Sequence, residues 1–380
     1  MNHRMRVLVI FGTRPEAVKL APVIKQCQKH ADKIETRVCI TAQHREMLDQ
    51  VLDVFAIKPD IDLDIMQPDQ SLSQLTARIF NDLDPIVKQE HPDWILIQGD
   101  TTTVMVTAIL SYYNRVKIGH VEAGLRTFDK WQPFPEEINR RIAGVLADLH
   151  FAPTENNRQN LLQEGIPDEI IKITGNPAID ALKMITQKPA PPAVETLLHQ
   201  NGIASGDRRL ILVTAHRREN FGEPIQNICE ALKNLADHYA DSVTIVYPVH
   251  LNPNIQKPVH ARLSEVPNIK LLAPLDYLDL VHLMKHASLI LTDSGGIQEE
   301  APSLGIPTLV MRERTERQEG VIAGTLKLVG TDPEKIVQEA QRLLDDPVAH
   351  AAMAGAVNPY GDGHAAERIV NALLERWEAV

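Results

Sequence analysis

Residues 289–305, LILTDSGGIQEEAPSLG, carry the clearest structural signal in the chain. The apolar run that opens this stretch predicts a buried strand, Asp293 to Gly296 predict a tight turn, and a helical periodicity begins at Ile297. The glycines let the backbone approach a ligand closely, and the first N–H groups of a helix have no intrahelical acceptor. A strand, a glycine turn and a helix start in this order therefore favour an anion-binding site.

The length and composition of the chain exclude several classes of protein. The chain has 380 residues, of which 44% are hydrophobic and 23% are charged, and its formal net charge is −11. This length predicts two domains, and the negative charge argues against a nucleic-acid partner. The cysteines Cys27, Cys39 and Cys229 show no C-x-x-C spacing and are expected to be reduced. No apolar run is long enough for a signal sequence or for the roughly 20 residues that cross a membrane, so we expect a cytoplasmic protein with no membrane partner.

Short β-branched runs alternate with helical patterns along the whole chain, which predicts parallel sheets with helices on both faces. We predict six strands in each half of the chain, and the fold class is α/β with two Rossmann-like domains. The expected domains are residues 1–185, residues 205–362, and a C-terminal helix at 363–380 that packs back on the N-terminal domain. The predicted strands are 6–11, 36–40, 94–98, 117–121, 149–152, 172–174, 209–214, 244–248, 269–272, 289–291, 307–311 and 327–329.

Ligands of such sheets lie beyond the carboxyl ends of the strands, so the residues that follow each strand indicate the site. Polar and ionisable residues follow several of the predicted strands, and a cleft between two facing sheets is the simplest interpretation. Arg14 follows the first strand at a helix start, where the dipole disfavours a cation, so we predict that it binds an anion. The neighbouring Thr13 and Glu16 fit a capping box.

Three carboxylates lie at strand ends or helix starts in the first half. Asp100 could serve only as a helix cap, Glu122 as a turn residue, and Glu136 as a first-turn carboxylate favoured by the helix dipole. Their common placement favours acid–base chemistry instead. Lys19 could reach the same region, although lysines on helix surfaces are usually solvated.

In the second half, His216 follows a buried strand and precedes two arginines. A contact with phosphate or sugar is favoured over a purely structural histidine. Arg217 and Arg218 cannot both face one site if the segment is extended, because adjacent side chains alternate. Arg317 is the arginine that we predict to contact a diphosphate. No histidine or cysteine spacing typical of a metal site and no G-x-G-x-x-G motif after the first strand is present, so we expect neither a metal nor a cofactor.

With these motifs assembled, the chain resembles the non-hydrolysing UDP-N-acetylglucosamine 2-epimerases nearly end to end. The shared segments are FGTRPEA (11–17), TAQHREMLDQ (41–50), QGDTTT (98–103), GHVEAGLRT (119–127), PEEINRR (135–141), TAHRREN (214–220), YPVHLNP (247–253), TDSGGIQEEAPSLG (292–305) and TER (315–317). Several long matches in the same order are far more specific than any single turn motif.

The resemblance implies a GT-B fold, a homodimer without a cofactor, and interconversion of UDP-N-acetylglucosamine and UDP-N-acetylmannosamine for surface polysaccharide synthesis. The C-terminal domain would bind most of the UDP and the N-terminal domain would carry the catalytic carboxylates. The implied UDP contacts are Arg14, His216, Ser294, Gly295, Gly296, Glu300 and Arg317. The implied catalytic set is Asp100, Glu122 and Glu136, supported by Lys19, Arg140 and His216. Some bacterial members bind a second UDP-sugar as an allosteric activator, and the matching residues are Gln43, Gln70, Arg218 and His250.

Several positions depart from the pattern of this family. Glu46 and Asp69 stand where the activator site would have Gln and Arg, Leu280 replaces a Phe near the uracil, and Gln318 replaces a Pro. The segment WQPF at 131–134 alters the approach to Glu136. An epimerase for an oxidised or diacetamido UDP-sugar is therefore an open alternative. A hydrolysing epimerase, a GT-B glycosyltransferase and a nucleotide-sugar sensor without turnover are further alternatives.

The chemistry of the implied reaction explains why several carboxylates are needed. The proton at C2 of the sugar is not next to a carbonyl, so a carboxylate cannot remove it directly. Ionisation of the anomeric C1–O bond acidifies C2, UDP leaves to give a bound 2-acetamidoglucal, and re-addition after protonation from the other face inverts C2. We predict that Glu136 and Asp100 take the two proton steps with help from Glu122, and which carboxylate serves which sugar face stays open.

Overall fold

The computed structural model describes residues 4–41, 45–66 and 70–379, with the backbone alone at 45–47. Gln43 and Asp69 lie outside the described residues, and the side chain of Glu46 is not described.

The chain divides into two compact units, the first formed by Met1–Ala181 with Tyr360–Val380 and the second by Leu182–Pro359. The helix that ends the chain packs against the first helix, within the first unit. The segment 186–204, left between the two predicted domains, contains a helix and belongs to the second unit.

The first unit is built on a parallel sheet of seven strands in the order β3-β2-β1-β4-β5-β6-β7. Every residue of β4 is buried, as expected for a strand that is covered by helices on both faces. The strands are β1 Met5–Phe11, β2 Ile34–Ile40, β3 Ile61–Asp62, β4 Trp94–Gln98, β5 Lys117–Val121, β6 Leu149–Ala152 and β7 Ile171–Ile173. The helices are α1 Arg14–Lys29, α2 Arg45–Val54, α3 Leu72–Glu90, α4 Thr102–Tyr113, α5 Glu136–Leu146, α6 Glu155–Gln163, α7 Pro177–Thr186, which runs on into the second unit, and α16 Ala365–Glu378.

The second unit repeats this plan with six parallel strands in the order β10-β9-β8-β11-β12-β13. Its core combines the buried faces of the central strands with the apolar stripes of α9 and α14. The strands are β8 Arg209–Thr214, β9 Val243–Pro248, β10 Ile269–Leu272, β11 Ala287–Thr292, β12 Thr308–Val310 and β13 Leu326–Leu328. The helices are α8 Pro192–Gln200, α9 Glu223–His238, α10 Pro253–Leu263, α11 Tyr277–His286, α12 Gly295–Glu300, α13 Gln318–Ile322, α14 Pro333–Asp345 and α15 Pro347–Ala354.

All twelve predicted strands are present, and the predicted α/β class with two Rossmann-like sheets is confirmed. Among the described residues one strand was not predicted, β3, whose two residues are too few to show a periodicity. In each sheet all strands are parallel, so their carboxyl ends lie at the same edge. The candidate site residues come directly after these strand ends. Among the described residues, no helix is both long enough and apolar enough to cross a membrane.

Candidate active site

Glu122 lies directly after β5 and is surrounded by hydrogen-bond donors. Nζ of Lys19, on α1, lies 2.6 and 2.7 Å from the two carboxylate oxygens. The side-chain amide of Asn176 donates to Oε1 over 2.9 Å, and the amide of Gln98 donates to Oε2. Donors of this kind stabilise the ionised form of a carboxylate. The structure thus brings Lys19 and Glu122 together, whereas the sequence analysis missed Gln98 and Asn176.

The backbone of Glu122 adopts a φ of +60°, in the left-handed region that residues other than glycine rarely occupy. Such a conformation costs on the order of 1–3 kcal/mol and persists where surrounding contacts hold it, often at functional sites. Here the bonds from Lys19 and Asn176 hold the side chain beyond the end of the strand.

Asp100, in the turn after β4, is tied to the start of α5. The guanidinium of Arg140 donates to the Asp100 carboxylate and also to the buried carboxylate of Glu137, over 3.1 Å. The side-chain amide of Asn139 donates to the backbone carbonyl of Asp100 over 3.0 Å. One turn of α5 therefore fixes both the side chain and the backbone of Asp100.

Glu136 is the first residue of α5 and differs from the other two carboxylates. Its Oε2 atom is buried and accepts no hydrogen bond from any of the residues that the structure describes. A buried acceptor without a donor is costly, so such an atom in a folded protein calls for a functional explanation. Of the three carboxylates, Glu136 is thus the one with a buried oxygen that no described donor reaches.

Arg14 begins α1 and is half-buried. Within the described ranges it makes no ion pair and no side-chain hydrogen bond. The helix dipole disfavours a cation at this position. An arginine kept there without an anionic partner fits the predicted role of binding an anion.

Glu16, in the first turn of α1, is buried and joins two strand-end loops. Its Oε2 accepts from the backbone N–H of Gly12 and from the N–H and hydroxyl of Thr13, over 2.7 to 3.1 Å. Its Oε1 accepts from the hydroxyl of Thr101 over 2.9 Å. Burial raises the pKa of Glu16 to about 7, although these hydrogen bonds oppose the shift. The capping carboxylate predicted from the sequence therefore also links the loops that carry Arg14 and Asp100.

In the second unit, the loop after β8 is fastened to Asp293, which follows β11 and is fully buried. Oδ2 of Asp293 accepts from the backbone N–H groups of His216 and Arg217, each over 2.8 Å, and from the side chain of Asn220 over 2.9 Å. The His216 ring stacks against the His250 ring with 5.8 Å between centroids. Asp293 and Asn220 were missed as site residues.

The pKa of His216 is lowered, chiefly because the ring is partly withdrawn from water. The negative charge of Asp293 opposes this shift, and the positive charges of Arg217 and His250 add to it. The lowered pKa favours the neutral form of the His216 ring, and an added negative charge nearby would favour its protonation.

The glycine turn lies against Arg317. A Cβ atom added to Gly295 would lie 3.0 Å from Cζ of Arg317, so glycine is what allows the guanidinium to pack on this turn. Arg317 also donates to Glu299 over 2.9 Å and pairs with Glu316. The helix that begins after Ser294 has six residues and continues as a 3₁₀ turn. The structure thus brings Arg317 and the predicted anion-binding turn together.

Glu300, at the end of α12, is buried and accepts a hydrogen bond from the hydroxyl of Tyr277 over 3.3 Å. Tyr277 is the first residue of α11, and Leu280 follows it one turn later. Gly296 lies close to Glu300, because a Cβ added to this glycine would be 3.7 Å from its Oε1. Glu300 and Gly296 are neighbours because they lie four residues apart in one helix.

The described candidate activator residues belong to different units of the chain. Gln70 belongs to the first unit, and its Oε1 is buried with no hydrogen bond from a described residue. Arg218 is exposed in the second unit, and His250 stacks on His216. Gln43 lies outside the described residues. Nowhere in the described chain do three or more His, Cys, Asp or Glu side chains form a group that could hold a metal ion.

Comparisons with known proteins agree on one family. The family model described as UDP-N-acetylglucosamine 2-epimerase matches residues 25–374. The UDP-N-acetylglucosamine 2-epimerase of Salmonella typhimurium is 53% identical over 97% of this chain and 98% of its own length. The crystal structure of UDP-GlcNAc 2-epimerase from Neisseria meningitidis bound to UDP-GlcNAc superposes with a TM-score of 0.88 at 48% identity, covering 98% of this chain and 100% of that one. The Methanocaldococcus jannaschii enzyme in complex with UDP-GlcNAc and UDP gives a TM-score of 0.80 at 32% identity, over 98% of this chain and 100% of that one.

Two Rossmann-like units in one chain, each with polar residues clustered at strand ends, define an α/β protein of the GT-B type. Within that class the chain belongs to the UDP-N-acetylglucosamine 2-epimerase family, whose members are isomerases. The expected resemblance is confirmed over nearly the full length of the chain.

Proposed function

We propose that this chain interconverts UDP-N-acetylglucosamine and UDP-N-acetylmannosamine by eliminating UDP to a bound 2-acetamidoglucal and adding it back. Membership of the family and the UDP-GlcNAc held by the Neisseria meningitidis relative support the substrate. The single observation that carries the mechanism is the contrast among the three carboxylates of the first unit. Glu122 and Asp100 are paired with cations, whereas Glu136 keeps a buried oxygen with no donor from the described residues.

In this proposal the second unit holds the UDP. The guanidinium of Arg317 and the backbone of Ser294, Gly295 and Gly296 bind the phosphates, His216 contributes from the loop after β8, and Glu300 binds the ribose. Arg14 adds a cation from α1. Negative charge grows on the diphosphate as the C1–O bond breaks, so donors fixed in advance stabilise the transition state. Losing one such donor typically costs about 10²–10³ in rate.

The first unit supplies the proton transfers at C2. Glu136 is the proposed base or acid on one face of the sugar. Its Oε2 atom accepts no hydrogen bond from the described residues, so it can take a proton without first breaking an ion pair. Asp100 serves the opposite face, and Arg140 holds it in place. Glu122, paired with Lys19, assists by stabilising the positive charge that develops at C1.

The experiment is proton NMR of the purified protein with UDP-N-acetylglucosamine in deuterated water. We expect UDP-N-acetylmannosamine to appear with deuterium at C2, and the remaining substrate to acquire deuterium as well. Epimerisation with full retention of hydrogen at C2 would rule out elimination through a glycal. Accumulation of free N-acetylmannosamine and UDP would instead identify a hydrolysing epimerase.

Two variants assign the roles within this assay. Glu136→Gln keeps the shape of the side chain and removes its proton acceptor, so exchange at C2 should fall by about 10²–10⁴-fold. Glu169→Gln is the matched control, since Glu169 is exposed on a 3₁₀ turn and should leave exchange unchanged. Equal exchange rates in the Glu136→Gln variant and the wild type would remove Glu136 from the proton steps.

A second candidate substrate is a UDP-HexNAc with an additional or oxidised substituent. It is favoured by the exposed side chains of Trp131 and Phe134, whose rings lie 5.9 Å apart just before Glu136. Aromatic rings of this kind can pack against an acyl group or a sugar face. Turnover of a diacetamido UDP-sugar at a higher kcat/KM than UDP-N-acetylglucosamine would favour this candidate.

A homodimer and an activating second UDP-sugar are carried over from the family resemblance alone. Sedimentation velocity measures the first. The second predicts a sigmoidal dependence of rate on UDP-N-acetylglucosamine concentration, and a hyperbolic dependence would argue against it.

A further inference from the structure

Asp293 accepts more hydrogen bonds than closing the turn after β11 would require. It follows β11, it is completely buried, and one carboxylate oxygen, Oδ2, accepts all three hydrogen bonds from the loop after β8. These bonds fix the backbone at His216 and Arg217 and the side chain of Asn220. They leave the second oxygen, Oδ1, unused.

Oδ1 of Asp293 is buried as well and accepts no hydrogen bond from the described residues. It lies 3.5 Å from Nδ1 of His216, slightly beyond the usual reach of a hydrogen bond. A buried carboxylate oxygen without a donor is expensive. Hydrogen bonds of catalytic groups are often long in unliganded proteins and shorten when the ligand binds. The His216 imidazole is therefore placed to donate a hydrogen bond from Nδ1 to Oδ1 of Asp293.

We propose that Asp293 is a positioning residue that holds the His216 imidazole by Nδ1 and so directs Nε2 of the same ring toward the diphosphate of bound UDP. The inference rests on the proposed function, because it assumes that UDP binds beside His216. It adds to that function a role for Asp293 and the uptake of one proton when UDP binds. On binding, the ring takes one proton from the solvent, so that Nδ1–H donates to Asp293 and Nε2–H donates to a phosphate oxygen.

The charges that face His216 support this sequence of events. Asp293 attracts a proton to the ring, while Arg217 and His250 repel it, and burial of the ring lowers its pKa overall. The unliganded ring is then mostly neutral near neutral pH. A diphosphate adds negative charge at the second ring nitrogen, which favours the imidazolium that Asp293 already stabilises from the other side.

The test is isothermal titration calorimetry of UDP binding in two buffers with different ionisation enthalpies, which counts the protons taken up. For the wild type we expect net proton uptake near neutral pH, where the free ring is mostly neutral, and this uptake should fall once the pH rises past the range in which the bound ring keeps its proton. In Asp293→Asn the amide oxygen can still accept from the loop, and the NH₂ group faces Nδ1 of His216. The ring must then be neutral with its proton on Nε2, so uptake should vanish and UDP affinity should fall by about tenfold.

Two control variants separate this role from a purely structural one. Asn220→Ala removes a hydrogen bond to Oδ2 of Asp293 and loosens the same loop without touching the His216 ring, so it should keep the proton uptake. Asp332→Asn makes the same chemical change at the N-cap of α14 and should bind UDP like the wild type. Proton uptake in Asp293→Asn equal to that of the wild type would overturn the proposal.

A measurement on the wild type covers the case in which Asp293→Asn does not fold. ¹⁵N NMR of the imidazoles, with the His216 signals assigned by their loss in His216→Gln, reports which ring nitrogen carries the proton. We expect the Nδ1–H form in the unliganded protein, and the Nε2–H form would overturn the proposal. If the wild type does not bind UDP at all, the proposed function fails, but the tautomer still tests the contact with Asp293.

Discussion

Glu16→Gln should make the first unit less sensitive to pH, and the structure fixes both the sign and the size of this effect. Glutamine has nearly the same shape as glutamate. Its amide oxygen can take the place of Oε2, which accepts from Gly12 and Thr13. Its NH₂ group can then donate to the hydroxyl oxygen of Thr101. The variant therefore keeps the links between the two loops and removes only the titrating group.

The magnitude follows from the difference between the pKa of Glu16 in the folded and unfolded chain. Burial raises the folded pKa to about 7 from the ordinary value of 4.5. Between these values the folded protein holds a proton that the unfolded chain has released, so the free energy of unfolding falls as the pH rises. The full cost of the buried charge is present above pH 7 and absent below pH 4.5. At about 1.36 kcal/mol per pKa unit, this cost is about 3 kcal/mol.

Urea unfolding followed by tryptophan fluorescence is the assay, because Trp94, Trp131 and Trp377 all lie in the first unit. The wild type and the variant share every other titrating group, so the difference in their unfolding free energies isolates Glu16. Between pH 5 and pH 8, we expect the free energy of unfolding of the variant to rise relative to that of the wild type by up to about 3 kcal/mol. Glu169→Gln, at an exposed carboxylate, should run parallel to the wild type. Parallel curves for the wild type and Glu16→Gln would refute the reasoning.

Three further predictions concern the ligand sites. Arg14→Ala should weaken UDP binding by about 10- to 100-fold in calorimetry, because a charge-assisted hydrogen bond is worth about 1.5–3 kcal/mol, and unchanged affinity would remove Arg14 from the phosphate site. Gly295→Ala should displace the guanidinium of Arg317, 3.0 Å from the added carbon, and weaken UDP binding more than Gly296→Ala, where the nearest atom is 3.7 Å away. Equal effects of the two alanines would contradict this. Lys19→Met removes the ammonium that pairs with the Glu122 carboxylate, so kcat should fall by at least about tenfold, and because both partners are mostly buried Tm should fall as well; a normal kcat in the folded variant would indicate a purely structural role.

The fold could be predicted from the sequence because its central strands are buried on both faces. A strand such as β4, WILIQ, is apolar up to its last residue and stands out against the amphipathic helices on either side. The two-residue strand β3 carries no such signal, since Ile61–Asp62 pairs only with the end of β2. Its position depends on tertiary packing, which a local pattern does not encode.

The candidate site was only partly predictable, and the residues that were missed share one property. Gln98 ends β4, Asn176 follows β7, and Asp293 follows β11. Each thus satisfies the same strand-end rule that selected Asp100 and Glu122. The contacts that make them part of the site join residues far apart in the chain, and a sequence does not show which side chains will meet.

The three carboxylates of the first unit illustrate what the structure adds to the sequence. In sequence terms they are equivalent acids at strand ends or helix starts. In the structure, Lys19 and Arg140 are paired with Glu122 and Asp100, while Glu136 stands at the start of a helix with one buried oxygen open. A reaction that removes a proton from one face of a sugar and returns one to the other needs more than one group for proton transfer. The three carboxylates differ in their neighbours, and this difference is what separates their proposed roles.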